Sequence, residues 1–202
     1  MRFEMRAAHE PPEARGLRRD EVRLLVGTPD AVSHHRFTEL PDLLEAGDVL
    51  VVNTSATLPA AIDVIGEELV LHASTRLDDG RWLVELRRAD GPYLDASAGE
   101  RHGLKGGAAM TLDEAYTGRL WVASFDVDAE THLRAYGRPI RYSYVDTDWP
   151  LDTYQTVFAT HPGSAEMPSA GRPFTESVVT RLVNRGVVIA PLILHTGVAS
   201  LE

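Results

Sequence analysis

His195 is the residue best suited to proton transfer, because a free imidazole titrates near neutrality. It follows the apolar run 187–194 and opens the small polar cluster His195-Thr196-Gly197. It is the candidate general base, and it equally fits a buried imidazole bonded to backbone. A second cluster, Asn53-Thr54-Ser55, ends the apolar run 48–52. Asn53 fits a hydrogen bond to substrate or the plain end of a strand. A third set lies in residues 152–175, DTYQTVFATHPGSAEMPSAGRPFT. Pro162, Pro168 and Pro173, with Gly163 and Gly171, forbid one regular element there. A loop this long in a compact domain is functional or disordered, and its three aromatics argue against disorder.

Two similar units would position these clusters. Residues 41–45 read as a short helix, Gly47 as its stop, and 48–52 as a strand buried on both faces. Near the end, Thr175 reads as an N-cap and Val178, Val179, Leu182 and Val183 as one helical face. Gly186 then stops that helix, and 187–194 reads as a second buried strand. In a parallel sheet, ligands bind outside the carboxyl ends of the strands. Residues 53–55 and 195–197 therefore become candidates for a single site.

The middle of the chain has a different texture. Residues 69–75 and 81–88 flank Asp78-Asp79-Gly80, a strong hairpin signal. Residues 110–112 and 120–125 add strands, and Asp128 fits the cap of a short helix. Short strands at regular spacing predict a small barrel or sandwich. The expected fold is therefore an α/β (mixed α+β) main domain with parallel-type strands plus an inserted small β-barrel domain. The expected boundaries are residues 1–62 and 138–202 for the first and 63–137 for the second.

Composition narrows the function. The chain has 202 residues and a net charge of −10, with no cysteine. Disulfide and thiolate chemistry are thereby excluded. The acidity disfavours a nucleic-acid partner, although a local basic strip would still serve one. No run of about 18 apolar residues predicts a membrane span, and the first residues lack the apolar core of a signal peptide. A cytoplasmic protein without membrane contact is expected. His34 and His35, adjacent on a strand, point to opposite faces and make a poor metal pair. No metal is expected, and no Gly-rich phosphate loop, HExxH or GxSxG occurs.

Four ordered blocks carry a resemblance. YQTVFA followed by MPSAGRPFT resembles the pair ERYQTVYA and APTAGLHFT of the S-adenosylmethionine:tRNA ribosyltransferase-isomerases of queuosine biosynthesis. VVNTSATLPA resembles VVNDTRVIPA, and LILHTG resembles a TLHVG segment. The resemblance implies a β-barrel insertion, S-adenosylmethionine as ribosyl donor, and tRNA as partner. It also implies transfer and isomerisation of the ribosyl group onto 7-aminomethyl-7-deazaguanine, with release of adenine and methionine.

Such chemistry needs a base, a donor to the departing adenine and a surface for the sulfonium. His195 is the best candidate for that base, since an unperturbed imidazole titrates near neutrality. Tyr154 or Phe174 would stack a purine-like ring, though both also suit a core. Gln155, Ser169 and Thr175 would bond a base edge or ribose. Thr156, Ala170, Gly171 and Gly197 complete the expected substrate-binding set, Gly171 by admitting close backbone approach.

The blocks also depart from the family's pattern. Thr54, Ala56 and Ala61 replace an Asp and two Arg, Arg172-Pro173 replaces Leu-His, and Ala199-Ser200-Leu201 replaces Gly-Thr-Phe. The chain reads as a divergent and C-terminally short member. The alternatives are a non-catalytic nucleoside- or RNA-binding relative, or a fragment needing its C-terminal part. Its acidity predicts weak tRNA binding by the chain alone.

Overall fold

The computed structural model describes residues 8–142 and 144–198. A hairpin of β1 (Arg23–Gly27) and β2 (Val32–Arg36) comes first, followed by α1 (Leu40–Leu43). Gly47, at φ 94°, turns the chain into β3 (Val49–Asn53). Next come β4 (Ser55–Thr57), β5 (Ala61–Asp63), and the expected hairpin of β6 (Val70–Arg76) and β7 (Trp82–Arg88). Gly80 takes φ 88° in its turn, a conformation that glycine adopts without steric cost. β8 (Gly91–Pro92), β9 (Arg101–Gly103), β10 (Ala109–Ala115), β11 (Leu120–Phe125) and α2 (Ala129–Tyr136) complete the middle. The Asp128 side chain caps α2 by accepting from Thr131 N–H. Then come β12 (His161–Ser164), α3 (Glu176–Asn184) and β13 (Val188–Leu192).

The middle strands form one antiparallel sheet in the order β5-β6-β7-β11-β10-β9, with β8 on β7. The sheet curls until its two edges meet. Val64 bridges Leu104, and Lys105 N–H donates to Asp63 C=O at 3.0 Å. Strand alternation sends Leu71, Ala73, Val84, Leu86, Met110 and Leu112 inward, all fully buried. Each buried leucine contributes roughly 1.5–3 kcal/mol of transfer free energy. Leu58, Ile140, Ala165 and Val198, from outside the strands of this sheet, pack into the same core.

The rest is built on two parallel pairs, β3 with β13 and β4 with β12. Phe37, Phe174, Val178, Leu182 and Val187 form a second core, against which Leu50 and Ile189 pack. Thr175 Oγ1 caps α3 by accepting from Val178 N–H at 3.3 Å. A mixed α/β fold with parallel pairings is thus present. Two expectations need correction. β3 is covered on one face only: Val49 and Val51 are 62% and 59% exposed. β13 is its sole strand neighbour among the described residues, so an unbroken apolar run did not mean burial on both faces. Residues 161–164, expected to be irregular, form a strand despite Pro162 and Gly163. A register shift in its pairing with β4 accommodates them.

Candidate functional site

The carboxyl ends of the parallel strands converge on a chain of side-chain hydrogen bonds. Ser55 and Ser164 are fully buried, and their hydroxyl oxygens lie 2.6 Å apart. Ser55 Oγ is 2.7 Å from His195 Nδ1. Thr196 N–H donates to Ser164 Oγ at 3.0 Å. Among the described residues one arrangement uses every proton. Ser164 O–H donates to Ser55 Oγ, and Ser55 O–H donates to His195 Nδ1. The neutral imidazole then carries its proton on Nε2. In the opposite sense, Ser164 would lose the acceptor for its own proton, at a cost typical of a buried unsatisfied group.

The ring of His195 rests on Gly163. A Cβ at that glycine would fall 2.5 Å from Nδ1 and 2.7 Å from Nε2, which real side chains do not tolerate. His195 is exposed rather than sealed in the core. The buried serines and the glycine thus hold one face and one edge of an imidazole that is open on its other edge.

Asn53 fixes this ensemble through backbone groups. Its Oδ1 accepts from Ser55 N–H and Leu194 N–H, each at 3.0 Å, and its Nδ2 donates to Leu194 C=O at 2.7 Å. All the hydrogen bonds seen for its amide are therefore to protein backbone. Thr54 Oγ1 donates to Leu192 C=O at 3.0 Å. His161 stands beside it, with Nδ1 2.9 Å from Thr160 Oγ1. Ser55 belonged to a cluster legible in the sequence. Ser164 and Gly163 were missed, because they lie on the strand taken for loop.

The other expected residues fall elsewhere. Gln155 is a second clip: its Oε1 accepts from Thr57 N–H and its Nε2 donates to Thr57 C=O, at 3.0 and 2.9 Å. Thr156 is buried, and its methyl lies under Gly171, where a Cβ would be 3.2 Å away. Ser169 and Ala170 are exposed on a 3-10 turn with Gly171. That turn leans on Thr156 and Phe158, and no contact between its backbone and His195 is seen among the described residues. Phe174 is 7% exposed and edge-on to Phe37 and Phe158, with centroids 4.9 and 5.2 Å away. Its ring is spent on the core. Thr175 Oγ1 also donates to the buried Asp20 carboxylate at 3.0 Å. Gly197 has no room for a side chain against Ser74 Oγ and Thr75 Oγ1.

Tyr154 lines a separate cleft of about 210 Å³ with Tyr142, Tyr144, Trp149, Met167 and Arg172. Tyr142 and Tyr144 stack with centroids 5.4 Å apart. Burial pushes the Tyr154 phenol up, with Asp148 adding. Trp149 Nε1–H is buried without an acceptor among the described residues. The cleft has the chemistry of a planar-ring or cation site. Gln155, Thr156, Phe174 and Thr175 meet at a shallower cleft that includes Arg19. No group of three or more acidic or imidazole side chains able to hold a metal occurs among the described residues. No helix of the described residues is long and apolar enough to cross a membrane. Ala199-Ser200-Leu201 lies outside the described residues.

Comparison with known proteins places the chain in a family. The family model described as queuosine biosynthesis protein matches residues 3–202. The S-adenosylmethionine:tRNA ribosyltransferase-isomerase of Thermosynechococcus vestitus is 33% identical over 194 residues, 90% of this chain and 53% of that protein. The protein of the same name from Acidiphilium cryptum is 34% identical over 208 residues, 94% and 58% of the two chains. The crystal structure of an S-adenosylmethionine tRNA ribosyltransferase from Thermotoga maritima matches 89% of this chain and 52% of its own, with 21% identity and a TM-score of 0.35. The chain thus spans somewhat over half the length of the relatives it matches. On the family match over residues 3–202, the chain belongs to the queuosine biosynthesis protein family.

Proposed function

We propose that the protein is an S-adenosylmethionine:tRNA ribosyltransferase-isomerase. It would move the ribosyl group of S-adenosylmethionine onto 7-aminomethyl-7-deazaguanine in tRNA and isomerise it, in the cytoplasm. S-adenosylmethionine is a substrate in this reading, and residues 63–137 are an inserted barrel-like domain on an α/β body of residues 1–62 and 138–202. The bridge between Val64 and Leu104 supports the insert. The relatives' names support the reaction.

The observation that carries the reading is the held imidazole. His195 sits on Gly163, with Nδ1 bound to a buried serine pair and its ring open to solvent. Fixing one ring nitrogen by a hydrogen bond sets what the other can do. Here the outward Nε2 carries the proton in the neutral ring. His195 Nε2–H is therefore arranged to hydrogen-bond the adenine nitrogen that takes the breaking bond's electron pair; the ring keeps its proton, and the departing adenine takes one from solvent. The ring accepts a proton at Nε2 only if the two hydroxyls reverse. The aromatic cleft at Tyr154 supports a place for a planar ring or the sulfonium, and it takes the stacking role that the buried Phe174 does not.

The test is adenine release from S-adenosylmethionine in the presence of tRNA carrying 7-aminomethyl-7-deazaguanine. Wild type should release adenine stoichiometrically with modified tRNA. His195→Ala should lose on the order of 10²–10³-fold, the usual cost of removing one donor to developing negative charge. Equal release by the variant would remove His195 from the chemistry, and no release by the wild type would remove the activity.

A further inference from the structure

Four arginines gather in one cleft of a chain whose net charge is −10. Arg87 and Arg88 come from β7, and Arg138 and Arg141 from the segment that follows α2. The cleft encloses about 350 Å³. Its floor is the outer face of the curled sheet. Leu71, Ala73 and Leu86 point inward and are fully buried, so Val70, His72 and Arg87 face out. Val70 stands opposite Arg87, and His72 opposite Glu85.

The four guanidiniums are not held alike. Arg87 is 3.3 Å from the fully buried Glu85, which also takes Arg119 at 3.4 Å. Arg87 is thus a fixed part of the floor. Arg138 pairs with Asp63 at 2.8 Å, and Arg141 with Asp148 at 2.9 Å. Both carboxylates are exposed, 45% and 62%. Pairs of that kind contribute about 0–1 kcal/mol, so they exchange readily for a better acceptor. Arg88 has the inward parity of Leu86 and lies 4.6 Å over the Tyr93 ring, which packs on the barrel core, so it borders the cleft without standing on its outer floor. Glu68 also lines the cleft. A carboxylate there disfavours diffuse anion attraction and leaves the directed guanidinium donors as the source of affinity.

His72 completes the floor. Its ring nitrogens have no hydrogen-bond partner among the described residues. Burial pushes its pKa down to about 3, with Arg87 and Arg138 adding. It is therefore a neutral ring that can offer one N–H. Rigid guanidinium forks beside a neutral donor suit tetrahedral oxyanions, which accept several hydrogen bonds in parallel.

We propose that this cleft binds a phosphate group, with Arg138 and Arg141 as movable donors and Arg87 and His72 as the fixed floor. The phosphate would belong either to an RNA backbone or to a phosphorylated small molecule; the chemistry is shared. The proposal does not depend on the role of His195.

Two probes test it on the whole protein: inorganic pyrophosphate by calorimetry, and a labelled RNA hairpin by fluorescence anisotropy at several salt concentrations. Arg138→Gln is the decisive variant, since Arg138 is held only by an exposed carboxylate. Arg141→Gln is the second, with circular dichroism checking both folds. Pyrophosphate binding that falls about tenfold or more in Arg138→Gln supports the site; that loss equals one charge-assisted hydrogen bond. If the hairpin displaces pyrophosphate, and its salt slope falls by about one per lost contact, the phosphate is that of RNA. If pyrophosphate binds and the hairpin does not displace it, the source is a small molecule. Absence of binding for both probes, or binding unchanged by both Arg138→Gln and Arg141→Gln, overturns the proposal. Adenine release is read separately, so failure here leaves the proposed reaction untouched, and the reverse holds too.

Discussion

The imidazole face of His195 lies directly on the backbone of Gly163, with no space between them for a methyl group. The contact ties the end of β13 to the strand β12. It sets the ring plane, while Ser55 sets the ring's edge. Gly163→Ala should therefore push the imidazole aside without touching either serine. Displacement of a reacting group by about 1 Å can cost on the order of 10²-fold in rate. The expected outcome is a large loss of adenine release with a near-native circular dichroism spectrum. Activity within a few-fold of wild type would show that the ring plane does not matter.

Ser55 can be separated from Gly163 by a pair of substitutions. Ser55→Ala removes the hydroxyl that joins Ser164 to His195 and leaves Ser164 O–H buried without its acceptor. The destabilisation should be about 1–3 kcal/mol by urea titration. Ser55→Thr keeps the oxygen and matches the threonine in the corresponding block of the resembling family. It should retain much more activity than Ser55→Ala. Equal loss in both would mean that the site tolerates no change of volume, and the hydroxyl relay would not be the reason.

The meeting of residues 53–55 with 195–197 was more legible in the sequence than the bonds that hold them together. Hairpin β6–β7 and the Asp128 and Thr175 caps follow from local rules of alternation and capping, and all were legible. Gly47 was read as the stop of a helix at 41–45; α1 ends at Leu43, and Gly47 turns the chain into β3 instead. The link from Ser55 to Ser164 and His195 was not, because it spans 109 and 140 residues and leaves no periodic trace. β12 escaped notice because Pro162 and Gly163 lie inside a four-residue strand. Val49 and Val51 read as core, yet apolarity alone does not say which face a neighbouring layer covers. Asn53 and Gln155 looked like substrate ligands; side-chain amides also mimic backbone, and both do so here.

Asn53 gives the third prediction. Its amide makes three hydrogen bonds to backbone, two of them to Leu194, the neighbour of His195. Asn53→Asp keeps the acceptor for both N–H groups but sets a carboxylate oxygen against Leu194 C=O. The mismatch should cost about 1–3 kcal/mol and weaken activity through displacement of His195. Asn53→Ala should cost a similar amount. If Asn53→Asp raised KM for S-adenosylmethionine with unchanged stability, direct substrate contact would replace the clip as its role.

His72 gives a pH dependence of defined sign. Its folded pKa is about 3, lowered by burial and by Arg87 and Arg138, against about 6.5 when unfolded. Between those values the unfolded chain binds more protons than the folded one. Stability from this residue is therefore complete above pH 6.5 and is lost as the pH falls toward 3. From pH 7 to 5 the loss is roughly 2 kcal/mol, the slope approaching about 1.36 kcal/mol per unit below pH 6.5. His72→Gln cannot gain a proton, so its stability should fall less on acidification. Several carboxylates also weaken in acid, among them Glu13, whose folded pKa is lowered. They act in both proteins and cancel in the difference. Urea unfolding of wild type and variant at pH 7, 6 and 5 measures that difference directly. A gap between the two proteins that stays constant with pH would mean that His72 is not held neutral in the folded state.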